Sequence, residues 1–396
     1  MSEQSENFEQ FALDVILDRR KGIRASMLRV FLRGLSTIYR RLVQLRLSLY
    51  RNRVIRDHHL GCMVVSIGNL TVGGTGKTPV VELFARALTD GGRKVAILSR
   101  GYKAQKPPLK ERLNARFTGK LLHLPPRVVS DGKEVLLGSR MAGDEPYMLA
   151  KNLPGVPVVV DKDRVKGGLH AIKEFGVDTL LLDDGLQYLR LSHRLDIVLV
   201  DKTSPFGNEH ILPRGTLREP ARNLRRASYI FITKCDGESN ENLVKRLRLY
   251  NRTAEIIECR HNPLYLQNLV TKERLPLSTL EDTHISTVSG IAVPESFENG
   301  LRKLGARIEL ARRYADHHRY DEQEISDFID RSLNRDVDMV VTTEKDAVRF
   351  PRLGQTDVPI YFLRVEIQIL SGEETWRECV NRICEPRRDL AARRFY

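Results

Sequence analysis

Cysteine is scarce in this 396-residue sequence: there are five, Cys62, Cys235, Cys259, Cys379 and Cys384. None forms a CxxC pair and no histidine stands at zinc spacing. That excludes a disulfide framework and a sequence-encoded zinc finger, and it predicts free thiols in a reducing compartment. Long apolar runs are missing as well. None approaches the ~20 residues of a membrane-spanning helix, and no cleavage site follows an apolar core near the start, so neither a signal peptide nor a transmembrane span is expected. Acidic residues are absent from one stretch. Between Arg19 and Arg56 there are twelve Arg or Lys residues and no Asp or Glu. There is no internal repeat.

What is present suits an α/β enzyme. The length allows two domains and a sizeable core, and 41% of residues are apolar. The net charge of +14 points to an anionic partner. Residues 1–18 read as an acidic leader without strong order. In the basic segment, 19–60, Leu28, Phe31, Leu32, Leu35, Ile38, Tyr39, Leu42, Leu45 and Leu49 recur at steps of three and four. Such a helix suits an anionic lipid surface. The competing reading is a helix packed on the core with solvated arginines. Nucleic-acid binding is disfavoured because no reading module accompanies the charge.

The chain is organised around Val64–Pro79, where an apolar strand runs into a glycine-rich turn and Gly-Lys-Thr opens a helix. Thr71, Val72, Gly73, Gly74, Thr75, Gly76, Lys77 and Thr78 form a phosphate cradle. Glycines free backbone N–H groups to point at one anion, Lys77 reaches terminal phosphates, and the Thr78 hydroxyl is a Mg²⁺ ligand. Thr71 stands where the strict pattern has glycine. Near-continuous apolar runs at Lys94–Ser99, Val158–Val160, Thr179–Leu182, Asp196–Val200 and Tyr229–Thr233 alternate with helical segments, as in a doubly wound, mostly parallel sheet. Residues 103–130 read as a loop excursion. This P-loop NTPase-like domain spans 61–265. A smaller α/β domain follows at 266–372, and a helix with a basic tail at 373–396.

Phosphoryl transfer needs phosphate clamps, a metal-holding carboxylate and a group that accepts the proton of the acceptor. Asp183 and Asp184, at the end of a buried strand, are candidates for the carboxylate. Asp144, opening a helix, and His317, following Asp316, are candidates for the proton acceptor. For Asp144 the alternative use is a helix cap. Arg214, Arg218 and Glu219 lie in one charged loop. Thr233-Lys234-Cys235-Asp236, after a strand, resembles the guanine-reading loop of a GTPase, so a GTP-driven switch stands as the alternative to a kinase.

Over roughly residues 25–350 the sequence resembles the tetraacyldisaccharide 4'-kinase family. The resemblance is carried by Ser66–Pro79, Leu98–Tyr102, Gly143–Pro146, Asp183–Gln187, Leu212–Gly215 with Leu217–Pro220, Asp316–His318 and Thr342–Ala347. Thr71 is ordinary for that family. The resemblance implies transfer of the ATP γ-phosphate to the 4'-hydroxyl of a tetraacylated disaccharide 1-phosphate in lipid A synthesis. With it come Mg²⁺, two α/β domains and peripheral attachment to the cytoplasmic face of the inner membrane, with no nucleic acid and no obligate protein partner. It implies Asp144 as the residue activating the hydroxyl, with His317 and Asp316 assisting and Lys77 and Asp184 also catalytic. It groups Thr78, Asp183, Asp184 and Glu219 around the metal, and Arg100, Gln187 and Arg218 as clamps. The sequence departs from the family at Leu186 and Tyr188, where Phe and His are usual, and in Val288–Pro294, a loose version of a glycine-rich turn.

Overall fold

The computed structural model describes residues 3–101 and 125–385, with side chains described from residue 10 onward. The reading of residues 103–124 as an excursion and the basic tail from residue 386 lie outside the described residues.

The chain divides into two compact units, neither continuous in sequence. Unit 1 comprises residues 1–98, 163–260 and 369–396. Its parallel strands run in the order β2 (Val95–Ser99), β5 (Thr179–Asp183), β1 (Met63–Asn69), β6 (Leu195–Asp201), β7 (Tyr229–Thr233) and β8 (Glu255–Asn268). The central strands are buried on both faces, which is why they read as unbroken apolar runs. Helix α3 (Lys77–Asp90) packs Phe84 against Phe231 and Trp376, at centroid distances of 5.6 and 4.7 Å. The doubly wound, P-loop NTPase-like class expected from the sequence is the one observed.

Unit 2 comprises residues 99–162 and 261–368. Parallel strands β11 (Arg307–Arg313), β10 (His284–Ser289), β12 (Met339–Thr343) and β13 (Ile360–Ser371) lie side by side in that order. An antiparallel pair, β3 (Arg127–Asp131) and β4 (Pro157–Val160), belongs to the same unit. Short β9 (Arg274–Pro276) pairs antiparallel with the last residues of β8, Tyr265–Gln267. The contiguous range 61–265 expected for the first domain therefore differs from the grouping by contacts. The reason lies in side chains: helix α4 (Asp144–Asn152) is tied to the segment after β12 through Asn152 with Glu344, Lys345 with Glu145, and Arg349 with Asp144. Strands β3 and β8 have no counterpart among the expected elements. β8 alternates buried and part-exposed positions and carries glutamates, so its apolar signal is weak.

The N-terminal segment is helical from Glu3, as α1 (Glu3–Ile16), where an acidic leader without strong order was expected. α2 (Ile23–Arg51) follows. Its buried or part-buried positions, among them Ala25, Leu32, Ser36, Tyr39 and Val43, recur at helical period and form the packed face. Met27, Phe31, Ile38, Leu42 and Leu45 form a second apolar stripe that stays exposed, at 55–69%. The expected single apolar face is thus two: Leu28, Leu32 and Tyr39 belong to the packed side. No described helix is long and apolar enough to cross a membrane.

Candidate active site

The phosphate loop sits between β1 and α3 in unit 1. Gly73 and Gly76 adopt φ of +118° and +79°, which side-chain-bearing residues rarely tolerate. A Cβ at Gly73 or Gly74 would meet nothing within 4 Å, so the concave side of the loop is open. The loop ends at the N-terminus of α3, whose unbonded N–H groups favour an anion. Thr75 and Thr78 are buried, and the Thr75 hydroxyl has no hydrogen-bond partner among the described residues. This donor set fits a polyphosphate.

Around that loop the strand ends supply charge. Lys77 Nζ lies 3.3 Å from Asn69 Oδ1 and 3.8 Å from Asp184 Oδ1. Arg218 Nη1 donates to both Asp184 oxygens at 2.8 and 2.7 Å and approaches Gln187 Oε1 at 3.4 Å. Gln187 donates to the Asn69 carbonyl at 3.1 Å. Asp184 has φ of +54°, as the sharp turn after β5 requires. Burial would raise its pKa, but Lys77, Arg218 and Arg164 outweigh that and hold the carboxyl below its ordinary value. Thr71 pairs with Leu217 by backbone, and Val72 N donates to Thr216 O at 2.7 Å, which aligns Arg218 with the loop. Lys77, Asp184, Gln187 and Arg218 are therefore linked by contacts, with Thr78 next to Lys77 on α3 and Asp183 buried one residue before Asp184.

Glu219, expected beside the metal, is engaged by other side chains. Both Glu219 oxygens accept from Arg226 at 2.8 Å and Oε2 also from Asn223, so that carboxylate closes an internal ion pair. Arg100 is exposed and belongs to unit 2. Among the described residues no group of three or more His, Cys, Asp or Glu side chains is set to hold a metal. Thr78 with one carboxylate still fits Mg²⁺, which keeps waters and binds through few protein ligands plus phosphate.

The departures from the family pattern have structural uses. Leu186 is fully buried against Gly68, where a Cβ on the glycine would come within 2.7 Å of Leu186 Cβ. Tyr188 OH donates to Asp163 Oδ1 at 3.0 Å and accepts from Arg164 N at 3.0 Å. It thereby braces the N-cap of helix α5 (Arg164–Phe175). In the Thr233–Asp236 turn, Thr233 Oγ1 donates to Thr75 O at 2.9 Å, Lys234 pairs with Asp201 at 2.6 Å, and Asp236 pairs with Lys202. The turn braces the phosphate loop.

Unit 2 carries a second polar cluster. Asp144 is the first residue of α4; the cap position is Gly143, with no side-chain cap. The Asp144 carboxylate instead meets His317 Nδ1 at 3.1 Å and Arg349 Nε at 2.8 Å through Oδ2, and Arg319 Nη2 at 3.0 Å through Oδ1. Burial works to raise its pKa, but the contact with His317 and the charges of Arg349 and Arg319 win and keep it low. His317 has φ of +67°, strained for a histidine, and its backbone N–H donates to Gly290 O at 3.1 Å. Asp316 lies 3.8 Å from His317 Nε2 and 3.9 Å from Lys345 Nζ. Arg349 and Asp346 were not singled out from the sequence. Arg349 is two residues past the end of the Thr342–Ala347 motif and is charged, which argues for exposure, yet its side chain is 0% exposed.

The fold of unit 1 and its loop define a P-loop NTPase-like protein of the α/β class. Comparison with known proteins narrows this. The family model for tetraacyldisaccharide-1-P 4'-kinase matches residues 28–385. A tetraacyldisaccharide 4'-kinase from Syntrophus aciditrophicus is 38% identical over 355 residues, covering 87% of this chain and 89% of its own length. One from Halothermothrix orenii is 32% identical over 391 residues, covering 94% and 97%. The crystal structure of LpxK from Aquifex aeolicus in complex with ATP superposes with a TM-score of 0.69 at 28% identity, covering 90% of this chain and all of that one. The chain belongs to the tetraacyldisaccharide-1-P 4'-kinase family.

Proposed function

We propose that the protein transfers the γ-phosphate of ATP to the 4'-hydroxyl of tetraacyldisaccharide 1-phosphate, forming the 1,4'-bisphosphate precursor of lipid A. The observation that carries this reading is that a family member holds both a formed phosphate cradle and a buried carboxylate–imidazole pair, Asp144 with His317. The open glycine turn and the N-terminus of α3 receive the triphosphate, with Lys77 on its terminal oxygens. Mg²⁺, when bound, supplies charge neutralisation on the phosphates; Thr78 with Asp183 or Asp184 would hold it. Arg218, itself donating to Gln187, orients the Asp184 carboxylate.

The Asp144–His317 pair takes the proton of the acceptor hydroxyl as one unit. Asp144 contributes negative charge and orientation, and Asp316 stands on the other side of the imidazole. The exposed apolar stripe of α2, beside a basic segment, suits peripheral attachment to the cytoplasmic face of the inner membrane, where such an acceptor resides. The alternative, a GTP-driven switch, needs Asp236 for guanine, and that carboxylate pairs with Lys202.

Labelled ATP, Mg²⁺ and the lipid acceptor test the reading, with GTP alone as the control. Label should appear in the lipid only with ATP; lipid-independent GTP hydrolysis would decide for the switch. Asp144→Ala should lose about 10²–10⁴-fold in kcat with little change in ATP KM. An equal loss of ATP affinity would move Asp144 from chemistry to binding.

A further inference from the structure

His317 Nδ1 faces two groups with incompatible demands. Asp144 Oδ2, at 3.1 Å, can only accept a proton from it. Arg349 Nη2, at 3.2 Å, can only donate one to it. A single ring nitrogen satisfies one of them at a time. The guanidinium has donors only and no lone pair to offer the ring.

Everything around Arg349 fixes it in place. Nε donates to Asp144 Oδ2 at 2.8 Å, and Nη1 donates to Gly290 O at 2.9 Å and to Asp346 Oδ1 at 3.0 Å. Asp346 is itself anchored by Tyr320 OH at 3.0 Å, Thr343 Oγ1 at 2.6 Å and Gly290 N at 3.0 Å. A side chain at Gly290 would crowd Tyr320 OH and Asp346 Oδ1 at 3.1 and 3.2 Å, so the glycine is needed for this approach. Gly290 O also receives the backbone N–H of His317, so one carbonyl sets both the guanidinium and the imidazole.

We propose that Arg349 is a positioning residue that selects the tautomer of His317: by donating to Nδ1 it keeps that nitrogen unprotonated and places the neutral ring's proton on Nε2. Arg349 also donates to Asp144 Oδ2, so it bridges two atoms that would otherwise set lone pair against lone pair. The consequence for turnover is specific. A proton arriving at Asp144 finds an unprotonated Nδ1 3.1 Å away, and the imidazole can take it up. If Nδ1 carried the proton at rest, the pair could not accept another through that contact. This role rests on the reading of Asp144 and His317 as proton acceptor.

Nitrogen-15 spectroscopy of the full-length wild-type protein, with His317 assigned through His317→Gln, tests the tautomer without any activity measurement. The neutral ring should show the Nε2–H pattern; an Nδ1–H pattern overturns the proposal. Arg349→Lys keeps a buried cation but lacks the fork. It should shift the ring toward Nδ1–H, lower kcat by about tenfold or more and leave ATP KM unchanged. It should also change the acid limb of the kcat profile. Among the described residues, Arg319, Asp316 and, beyond it, Lys345 with Glu145 face the pair, and all remain in this variant. An unchanged tautomer and profile in a folded Arg349→Lys protein overturns the proposal. Full activity in Asp144→Asn would instead remove the proton-acceptor reading, and the wild-type spectrum would still decide the tautomer.

Discussion

The two charged clusters are built to different plans. Around the phosphate loop, Asp184 is 33% exposed and held by Arg218 at 2.7–2.8 Å, Lys77 stands 3.8 Å from it, and the glycines beside them face open space. Around Asp144, the carboxylate is 5% exposed, Arg349 and Asp346 are fully buried, and the contacts run from 2.8 to 3.2 Å. The first cluster holds positive charge in reserve for a highly charged guest. The second neutralises itself and holds one imidazole in a strained backbone conformation. Removing one partner from a closed, buried set strands a charge and typically costs about 3–5 kcal/mol. Lys77, whose contacts are long, contributes little to stability. Function and folding should therefore separate in the first cluster and coincide in the second.

Lys77→Ala gives the largest expected effect and tests the open half of this contrast. It should lower kcat/KM by about 10³-fold or more, as loss of a charge clamp in phosphoryl transfer does. The melting temperature without nucleotide should stay close to wild type, because Lys77 makes only long contacts to Asn69 and Asp184. A large drop in melting temperature would show that the cluster is structural, and the contrast between the two sites would fail.

The two clusters also differed in how well they could be read from the sequence. The phosphate loop is local. Strand, turn and helix are contiguous, so Gly73–Thr78 and their roles follow from spacing, and Asp184 and Arg218 follow from strand ends and motifs. The second cluster is assembled from Gly143–Asp144, Gly290, the His317 loop and residues 346–349, which only the fold brings together. Asp144 and His317 were candidates from their residue types and neighbours, and the resemblance alone paired them. Arg349 was missed because nothing in a charged residue after a short motif signals burial, and its partners lie 59 and 205 positions away in sequence. The division of the chain was hidden for the same reason: residues 99–162 leave one unit and join another through side chains. Glu219 was grouped with the metal carboxylates by motif alone, and its pairing with Arg226 is a local fact that spacing does not reveal.

Acid titration sharpens the contrast from the closed side. Asp144 is held below its ordinary value of 3.8 because His317, Arg349 and Arg319 outweigh burial. A carboxyl with a lowered folded-state pKa adds stability that is present above its unfolded value and lost as pH falls through the folded one. Wild-type protein should therefore lose melting temperature steeply below about pH 4, and Asp144→Asn should start lower and follow a shallower slope there. Asp346 opposes this trend, since burial raises its pKa above 3.8 and its linkage runs the other way. Parallel acid slopes for the two proteins would mean that Asp144 is not held ionised by its neighbours.

The smallest expected effect concerns a residue in neither cluster's plan, though it stands near the first. Tyr188 replaces the family's usual histidine, and its hydroxyl spends both its capacities on α5: it donates to the capping carboxylate of Asp163 and accepts from Arg164 N. Arg164 stacks over the ring at 5.3 Å and donates through Nη2 to the Asp183 carbonyl at 3.2 Å. The Tyr188 hydroxyl is thus linked to the strand end that carries Asp183 and Asp184 through a capped helix. Tyr188→Phe keeps the ring and removes the hydroxyl, so the expected cost is about 1 kcal/mol, read as a shift of a few degrees in melting temperature. ATP KM and kcat should change by less than about twofold, because the phenol proton and its acceptor contact are both directed at α5. A tenfold rise in ATP KM with unchanged melting would show instead that position 188 acts on the nucleotide, and the open cluster would then extend from Lys77 through Arg164 to Tyr188.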